Sequence, residues 1–314
     1  ASPWEPDTAT LPVNDMPVVW EGSTTPVATT QASARDLSCY DIYGSFTGGV
    51  EGTTPYNTAN CYVVGAPGWY RIPCVYGNAI KNGEDNPSSY TGPASGANLL
   101  TGNFRNHADV PITSPWIKDN KLGAAADSPN IIIDGAELVW QDHQKLIAEV
   151  AYDSDYLYFK VSETDIFQGN AVLAAKEGST IVWSWHIWVV DNPESRLEAK
   201  TIYSHPTVRH SAQDPMQILP MDLGFCDTAP GSVRSRYVRV KFVQDVSGIE
   251  KVVTIVQLGQ VGYNCTYYQW GRKDPMPPGL VTFPTLSNAE KTLYNIGGAT
   301  ISRPSALAAP KTIG

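Results

Sequence analysis

An aromatic run at residues 183–188 (Trp-Ser-Trp-His-Ile-Trp) is the densest group of side chains that could bind a ligand. Alternate side chains of a strand point to opposite faces, so Trp183, Trp185 and Ile187 share one face. Exposed indoles could stack on sugar rings, and the candidate binding residues are Trp183, Trp185, His186 and Trp188. Alternatively, the strand is apolar on both sides and lies between two packed layers. The second interpretation is preferred, because buried indoles anchor sandwich cores.

A second candidate surface lies at residues 267–275, which combine aromatic, amide and charged side chains. Gln269 and Arg272 could donate hydrogen bonds to a polar ligand. Equally, Arg272 and Asp274 could form a fixed joint with a neighbouring domain. Both interpretations stay open, and the candidate residues are Tyr268, Gln269, Trp270, Arg272 and Asp274.

Catalytic signatures are missing from the sequence. It contains no G-x-S-x-G, no phosphate-binding glycine loop in a strand–helix setting and no H-E-x-x-H. Two acidic pairs, at 153–155 and 163–165, could hold Ca²⁺, but a solvated strand end is the preferred interpretation. We therefore predict a protein that is not an enzyme, with no catalytic residues, metal site or cofactor.

The composition restricts the partners. Net charge is −9 and the sequence pI is about 5.0, which disfavours nucleic acid and anionic membrane surfaces. Since no apolar run approaches the ~20 residues of a membrane span, the chain is not expected to be membrane-embedded. A glycan or another protein is the expected partner. The five cysteines form no C-x-x-C, so they are either buried free thiols or include one disulfide.

The hydrophobic pattern predicts an all-β fold of β-sandwich domains with long loops. Residues 61–64 and 69–73 suggest a strand–turn–strand unit, and 15–20 suggest an earlier strand. Alternation over 156–161 predicts a half-buried strand. Hairpins are expected around Gly178 and within 236–257. The only helix signal is a short one starting at 287.

These elements divide the chain into four parts. Residues 1–55 form an N-terminal arm or the remnant of a preceding domain, and 56–192 form the main β-sandwich domain. Residues 193–275 form a smaller β unit containing the hairpin 236–257, and 276–314 are irregular. Residues 77–130 are turn-rich without a period, which is typical of a functional loop or of elements that the pattern hides.

Three strings in order resemble a group of Bacteroidetes surface proteins. These are residues 58–78 (ANCY, then PGWYRIP and GN), residues 169–189 (GNAV, then WSWHIW) and residues 267–275 (YYQWGRKDP). The chain resembles the fimbrillin-like, pilus-tip adhesin family over about residues 57–275. The hairpin 236–257 also resembles the closing strands of a BACON-type module.

The resemblance implies an immunoglobulin- or transthyretin-like sandwich on the cell surface or outer membrane, exported with its lipoprotein signal removed. It implies adhesion or pilus assembly, with other pilus subunits or a surface receptor or glycan as partners. Assembly by strand exchange is expected for such proteins. A carbohydrate- or mucin-binding surface lipoprotein is the alternative. A hydrolase with a site in loops 77–130 and 191–232 is the third hypothesis.

Overall fold

The computed structural model describes residues 4–6, 20, 22–92, 103–141, 145–164, 166–203, 215–226, 236–244 and 246–257. These ranges consist mainly of strands, so the predicted all-β class is confirmed. The strands are β1 (Trp4–Pro6), β2 (Arg35–Asp36), β3 (Cys61–Val64), β4 (Gly68–Pro73), β5 (Ile80–Lys81), β6 (Glu84–Asp85), β7 (Gly135–Gln141), β8 (Ile147–Asp153), β9 (Tyr156–Val161), β10 (Gly169–Glu177), β11 (Thr180–Val189), β12 (Lys200–Tyr203), β13 (Pro215–Ile218), β14 (Arg236–Gln244) and β15 (Glu250–Gln257). Short helical turns occupy Gln31–Ser33, Leu37–Cys39, Pro87–Ser89, Ile117–Asp119 and α1 (Pro193–Arg196).

Two four-stranded sheets pack on one core. Sheet 1 has the order β3-β11-β10-β7, and sheet 2 has the order β2-β4-β9-β8. Leu173 and Trp185 of sheet 1 share a buried cluster with Ile72 and Phe159 of sheet 2, and all four are fully buried. The burial of so many large side chains between the sheets is the main source of stability.

Strand β9 differs from its prediction as a half-buried strand. Leu157, Phe159 and Val161 do face the core, as the alternation predicts. The opposite face is covered as well, since Tyr156 and Tyr158 pack against a second cluster that includes Trp69. Residues 28–34 supply the cover, a contact between distant segments that local alternation does not encode.

Strands β3 and β4 are both present, but the predicted strand–turn–strand pairing between them is wrong. β3 pairs in parallel with β11 in sheet 1, whereas β4 pairs antiparallel with β9 in sheet 2. Residues 65–67 carry the chain from one sheet to the other. Gly68 has φ +115, and a Cβ there would lie 2.7 Å from the Ala28 carbonyl oxygen. The close approach of residues 27–28, and not a hairpin, explains the glycine.

The two predicted hairpins are confirmed. β10 and β11 pair antiparallel around Gly178, which has φ +57, and β14 pairs with β15 over eight residue pairs. β14 also pairs with β1. Residues 15–19, the possible helix start at 287 and the segment 276–314 lie outside the described residues.

Where the structure describes it, the turn-rich segment 77–130 packs against the main core. Ile112 and Ile117 are buried in the main core. The Asn120 amide holds the turn before it, because Oδ1 accepts from the Thr113 N–H at 2.8 Å. Asn106 donates to the Lys121 carbonyl at 2.7 Å. Side-chain amides therefore replace the regular ladder that the sequence pattern lacks.

The described cysteines, Cys39, Cys61, Cys74 and Cys226, are all free thiols. Burial raises the pKa of Cys39 to about 11 and raises those of Cys61 and Cys74 further. Cys265 lies outside the described residues. Across the described ranges, the chain forms no helix with the length and apolar character that a membrane crossing requires.

Candidate functional site

The aromatic run predicted as a candidate surface forms the second half of β11. Trp183 is 5% exposed, and Trp185, His186 and Trp188 are fully buried. Trp183, Trp185 and Ile187 face the core between the sheets, as parity predicts. No indole of this strand is open to a sugar ring, so the run occupies the buried position that the two-layer interpretation describes.

The outer face of sheet 1 carries a buried polar line. The His186 Nε2 lies 2.8 Å from Asn170 Oδ1, and Asn170 Nδ2 donates to the Gly224 carbonyl at 2.9 Å. The same amide nitrogen lies 3.3 Å from the Cys226 sulfur. Because the Asn170 amide must donate to Gly224, its oxygen faces His186, and Nε2 of the histidine carries the proton.

His186 remains neutral in this setting. Burial lowers its pKa to about 3. The Asn170 amide lies between His186 and Cys226, with its oxygen toward the imidazole and its nitrogen toward the sulfur. These buried polar contacts therefore hold neighbouring segments together, and His186 is not accessible as an acid or a base.

The segment 219–226 packs on the outer face of sheet 1. Trp188 Nε1 donates to the Phe225 carbonyl at 3.1 Å, next to the Gly224 contact of Asn170. Trp188, Val190, Leu197 and Cys226 form a buried cluster, against which Leu219 and Phe225 pack. Two polar side chains on β10 and β11 thus fasten this segment over the sheet.

The second candidate surface, with Tyr268, Gln269, Trp270, Arg272 and Asp274, lies outside the described residues. Its two interpretations remain predictions.

A cleft of about 460 Å³ opens elsewhere, beside β2 and β3. Its apolar walls include Leu37, Val63, Val64 and Tyr70. The segment 22–27 forms one rim and is fastened where Val27 N–H donates to the Pro67 carbonyl at 3.0 Å. Its volume falls in the range of small-ligand sites, roughly 300–1,000 Å³.

Arg35 supplies the positive charge that faces this cleft. Its guanidinium carbon lies 4.7 Å from the centre of the Tyr40 ring, a cation–π geometry. Among the described residues, no carboxylate pairs with the guanidinium and no acceptor takes a hydrogen bond from it. Tyr40 is itself held, because its hydroxyl donates to Glu51 at 2.6 Å. Burial and the hydrogen bond to the Glu51 carboxylate raise the Tyr40 pKa to about 12.

A tight turn at residues 40–44 shapes the rim next to Arg35. Asp41 Oδ1 accepts from the N–H groups of Tyr43 and Ser45, at 3.0 and 2.8 Å. Gly44 has φ +85, and a Cβ there would lie 3.7 Å from an Arg35 nitrogen. The Tyr43 hydroxyl donates to the Leu197 carbonyl at 3.1 Å, which joins the turn to the chain beyond α1.

Polar atoms without a protein partner line the rest of the rim. Within the described ranges, Asp41 Oδ2, the Asn192 side-chain amide and the Glu194 carboxylate have no hydrogen bond or ion pair. These groups can accept hydrogen bonds, and the Asn192 amide can also donate them. The cleft therefore combines one fixed cation, apolar walls, the Asn192 and Glu194 side chains and the second carboxylate oxygen of Asp41.

No motif in the sequence predicts this cleft. Arg35 is the only cationic residue among the first 70, and Tyr40 and Tyr43 flank an aspartate, but these signals do not specify a site. The groups meet only because the start of α1 and the 40–44 turn approach from 150 residues apart in sequence.

The acidic pairs proposed as a calcium alternative have protein partners where they are described. Asp155 pairs with Lys118, and Glu163 pairs with Lys160 at 3.2 Å. No group of three or more His, Cys, Asp or Glu side chains within the described ranges is placed to hold a metal ion. In comparisons with known proteins, no family model, curated protein or solved structure matches the chain.

Proposed function

We propose that the chain is a non-catalytic protein of the bacterial cell surface, exported to the outer membrane, that acts in adhesion and in pilus assembly. The proposal extends the resemblance of the three sequence strings to fimbrillin-like adhesins. One structural feature supports it most directly: an edge strand whose outer side pairs with no other described strand.

That strand is β8, at the edge of sheet 2. Within the described chain, no strand pairs with its outer edge. The first part of β8 is poorly suited to pairing with an added strand, because its register with β9 shifts between Ile147 and Glu149, and Glu149 is exposed. Residues 150–152 are regular and half-buried, which suits an incoming extended segment.

The β8–β9 turn determines which backbone groups point outward. Ser154 and Asp155 have φ +51 and +70, so a two-residue hairpin turn joins the strands. Asp153 and Tyr156 then form the closing hydrogen-bonded pair, and the pairs of Ala151 and Asp153 face β9. The N–H groups of Val150 and Tyr152 point away from the sheet and can pair with a partner's strand.

Proline at position 150 tests this assembly. Val150→Pro removes an outward N–H without breaking a bond to β9. Val150→Ala is the control, because it also removes the valine methyl groups but keeps the backbone N–H. Cells producing each variant are treated with a protein cross-linker. We expect the Val150→Ala chain to give cross-linked multimers and the folded Val150→Pro chain to stay monomeric. Equal multimers for both variants would contradict pairing through β8.

Carbohydrate binding is a second candidate function, and the cleft at Arg35 favours it. Its tyrosine rings and free carboxylate and amide groups are the kinds that contact sugar rings and hydroxyls. A screen of immobilised glycans and mucins tests it. Binding of a defined glycan supports this function, and a blank screen counts against it.

A further inference from the structure

We infer that the cleft beside Arg35 binds a carboxylate-bearing sugar, such as a uronic acid, with the carboxylate on the guanidinium. The inference rests on the second proposed function, carbohydrate binding, and specifies its ligand class.

The carboxylate preference follows from Arg35. A guanidinium presents paired N–H donors that match the two oxygens of a carboxylate. The Tyr40 ring holds this guanidinium from one face, and the Tyr40 hydroxyl is fixed by Glu51. The donors are therefore pre-positioned and have no acceptor of their own among the described residues.

The remaining groups favour a sugar over a polyanion. Asp41 and Glu194 line the same cleft and would repel a ligand with several negative charges, such as a phosphate ester. Their oxygens, and the Asn192 amide, are suited to the hydroxyls of a ligand that carries a single negative charge. An acidic sugar ring supplies both a carboxylate and several hydroxyls.

The walls of the cleft include apolar side chains. The cleft is walled by Val63, Val64 and Tyr70, whose hydroxyl already donates to the Ala66 carbonyl at 2.7 Å. The walls therefore offer apolar contact and no further hydrogen bond from Tyr70. Apolar walls with a few polar groups are typical of small-ligand sites.

Binding of D-glucuronate and D-glucose to the full chain, measured by ligand-observed NMR titration at low salt, tests the inference. The two sugars differ at one position, a carboxylate in place of a hydroxymethyl group. We expect glucuronate to bind at least about 10-fold more tightly, a ratio that corresponds to ~1.4 kcal/mol. Since this comparison uses the unaltered chain, it does not depend on how a variant folds.

Arg35→Gln should weaken glucuronate binding by about 10-fold and leave glucose binding unchanged. Arg105→Gln is the matched control, because it removes the same charge from an exposed arginine that pairs with Asp109 and does not line the cleft. Equal binding of both sugars would overturn the carboxylate assignment while carbohydrate binding stands. No binding of either sugar would overturn the inference, and the glycan screen then decides on carbohydrate binding separately. An equal loss in Arg105→Gln would also overturn it.

Discussion

His186 Nε2 and Asn170 Oδ1 lie 2.8 Å apart on the buried outer face of sheet 1. The Asn170 amide continues to the Gly224 carbonyl, so a histidine in the middle of β11 is linked to the segment that covers it. The Asn170 oxygen accepts the proton on Nε2, and burial keeps the imidazole neutral by lowering its pKa to about 3.

This histidine should make the fold sensitive to acid. In the unfolded chain His186 titrates near its ordinary pKa of about 6.5, whereas the folded chain keeps it neutral down to about pH 3. The unfolded state therefore binds one more proton in this window, and stability falls as the pH falls. We expect the His186 contribution to cost about 1.4 kcal/mol per pH unit between about pH 6 and pH 3.

Urea unfolding of the wild type and of His186→Gln, at several pH values, isolates this contribution. Glutamine can still donate to Asn170 but does not titrate. The difference in free energy of unfolding between the two proteins should change with pH below about 6 and be constant above pH 7. A difference that is independent of pH would show that His186 titrates alike in both states.

Trp188→Phe should release the segment 219–226. The variant loses the hydrogen bond from the indole to the Phe225 carbonyl, which is worth roughly 0.5–1.5 kcal/mol. Trp185→Phe is the matched control. It shrinks a fully buried indole of the same strand, whose Nε1 donates to no acceptor among the described residues. Amide hydrogen exchange should accelerate in peptide 219–226 for Trp188→Phe, by about 10-fold relative to Trp185→Phe. Equal rates would contradict the fastening role.

Gly65→Ala should destabilise the wall of the cleft. A Cβ at Gly65 would lie 2.5 Å from Pro193 Cγ and 2.6 Å from Cδ, and the buried proline ring cannot yield easily. Overpacking of this kind costs typically 1–3 kcal/mol. A Cβ at Gly135 meets no atom within 4 Å, so Gly135→Ala should change stability by less than about 0.5 kcal/mol. Thermal or urea unfolding compares the two, and equal effects would contradict the tight Gly65–Pro193 packing.

Local patterns in the sequence were sufficient to predict individual strands. The alternation at 156–161 and the hairpin signals at Gly178 and 236–257 all correspond to strands in the structure. Partners of strands were predicted less well, because β3 pairs with a strand more than 100 residues later. Hydrophobic alternation reports which side of a strand is apolar, and does not report which segment covers it.

The candidate sites illustrate the same limit. The aromatic run 183–188 has a composition suited to either a sugar platform or a core, and only the cover by residues 219–226 distinguishes the two on the outer face. The cleft at Arg35 could not be predicted, because Tyr40, Asn192 and Glu194 meet there through tertiary packing. Single polar residues in turns carry no periodic signal that would group them.

Immunogold electron microscopy of the producing bacterium, with antibody against this chain, shows whether the protein is on surface filaments. We expect gold particles on surface filaments or at filament ends, and their loss when the gene is deleted. Gold confined to the cell interior would contradict the claim, and gold spread over the envelope without filaments would contradict its pilus part.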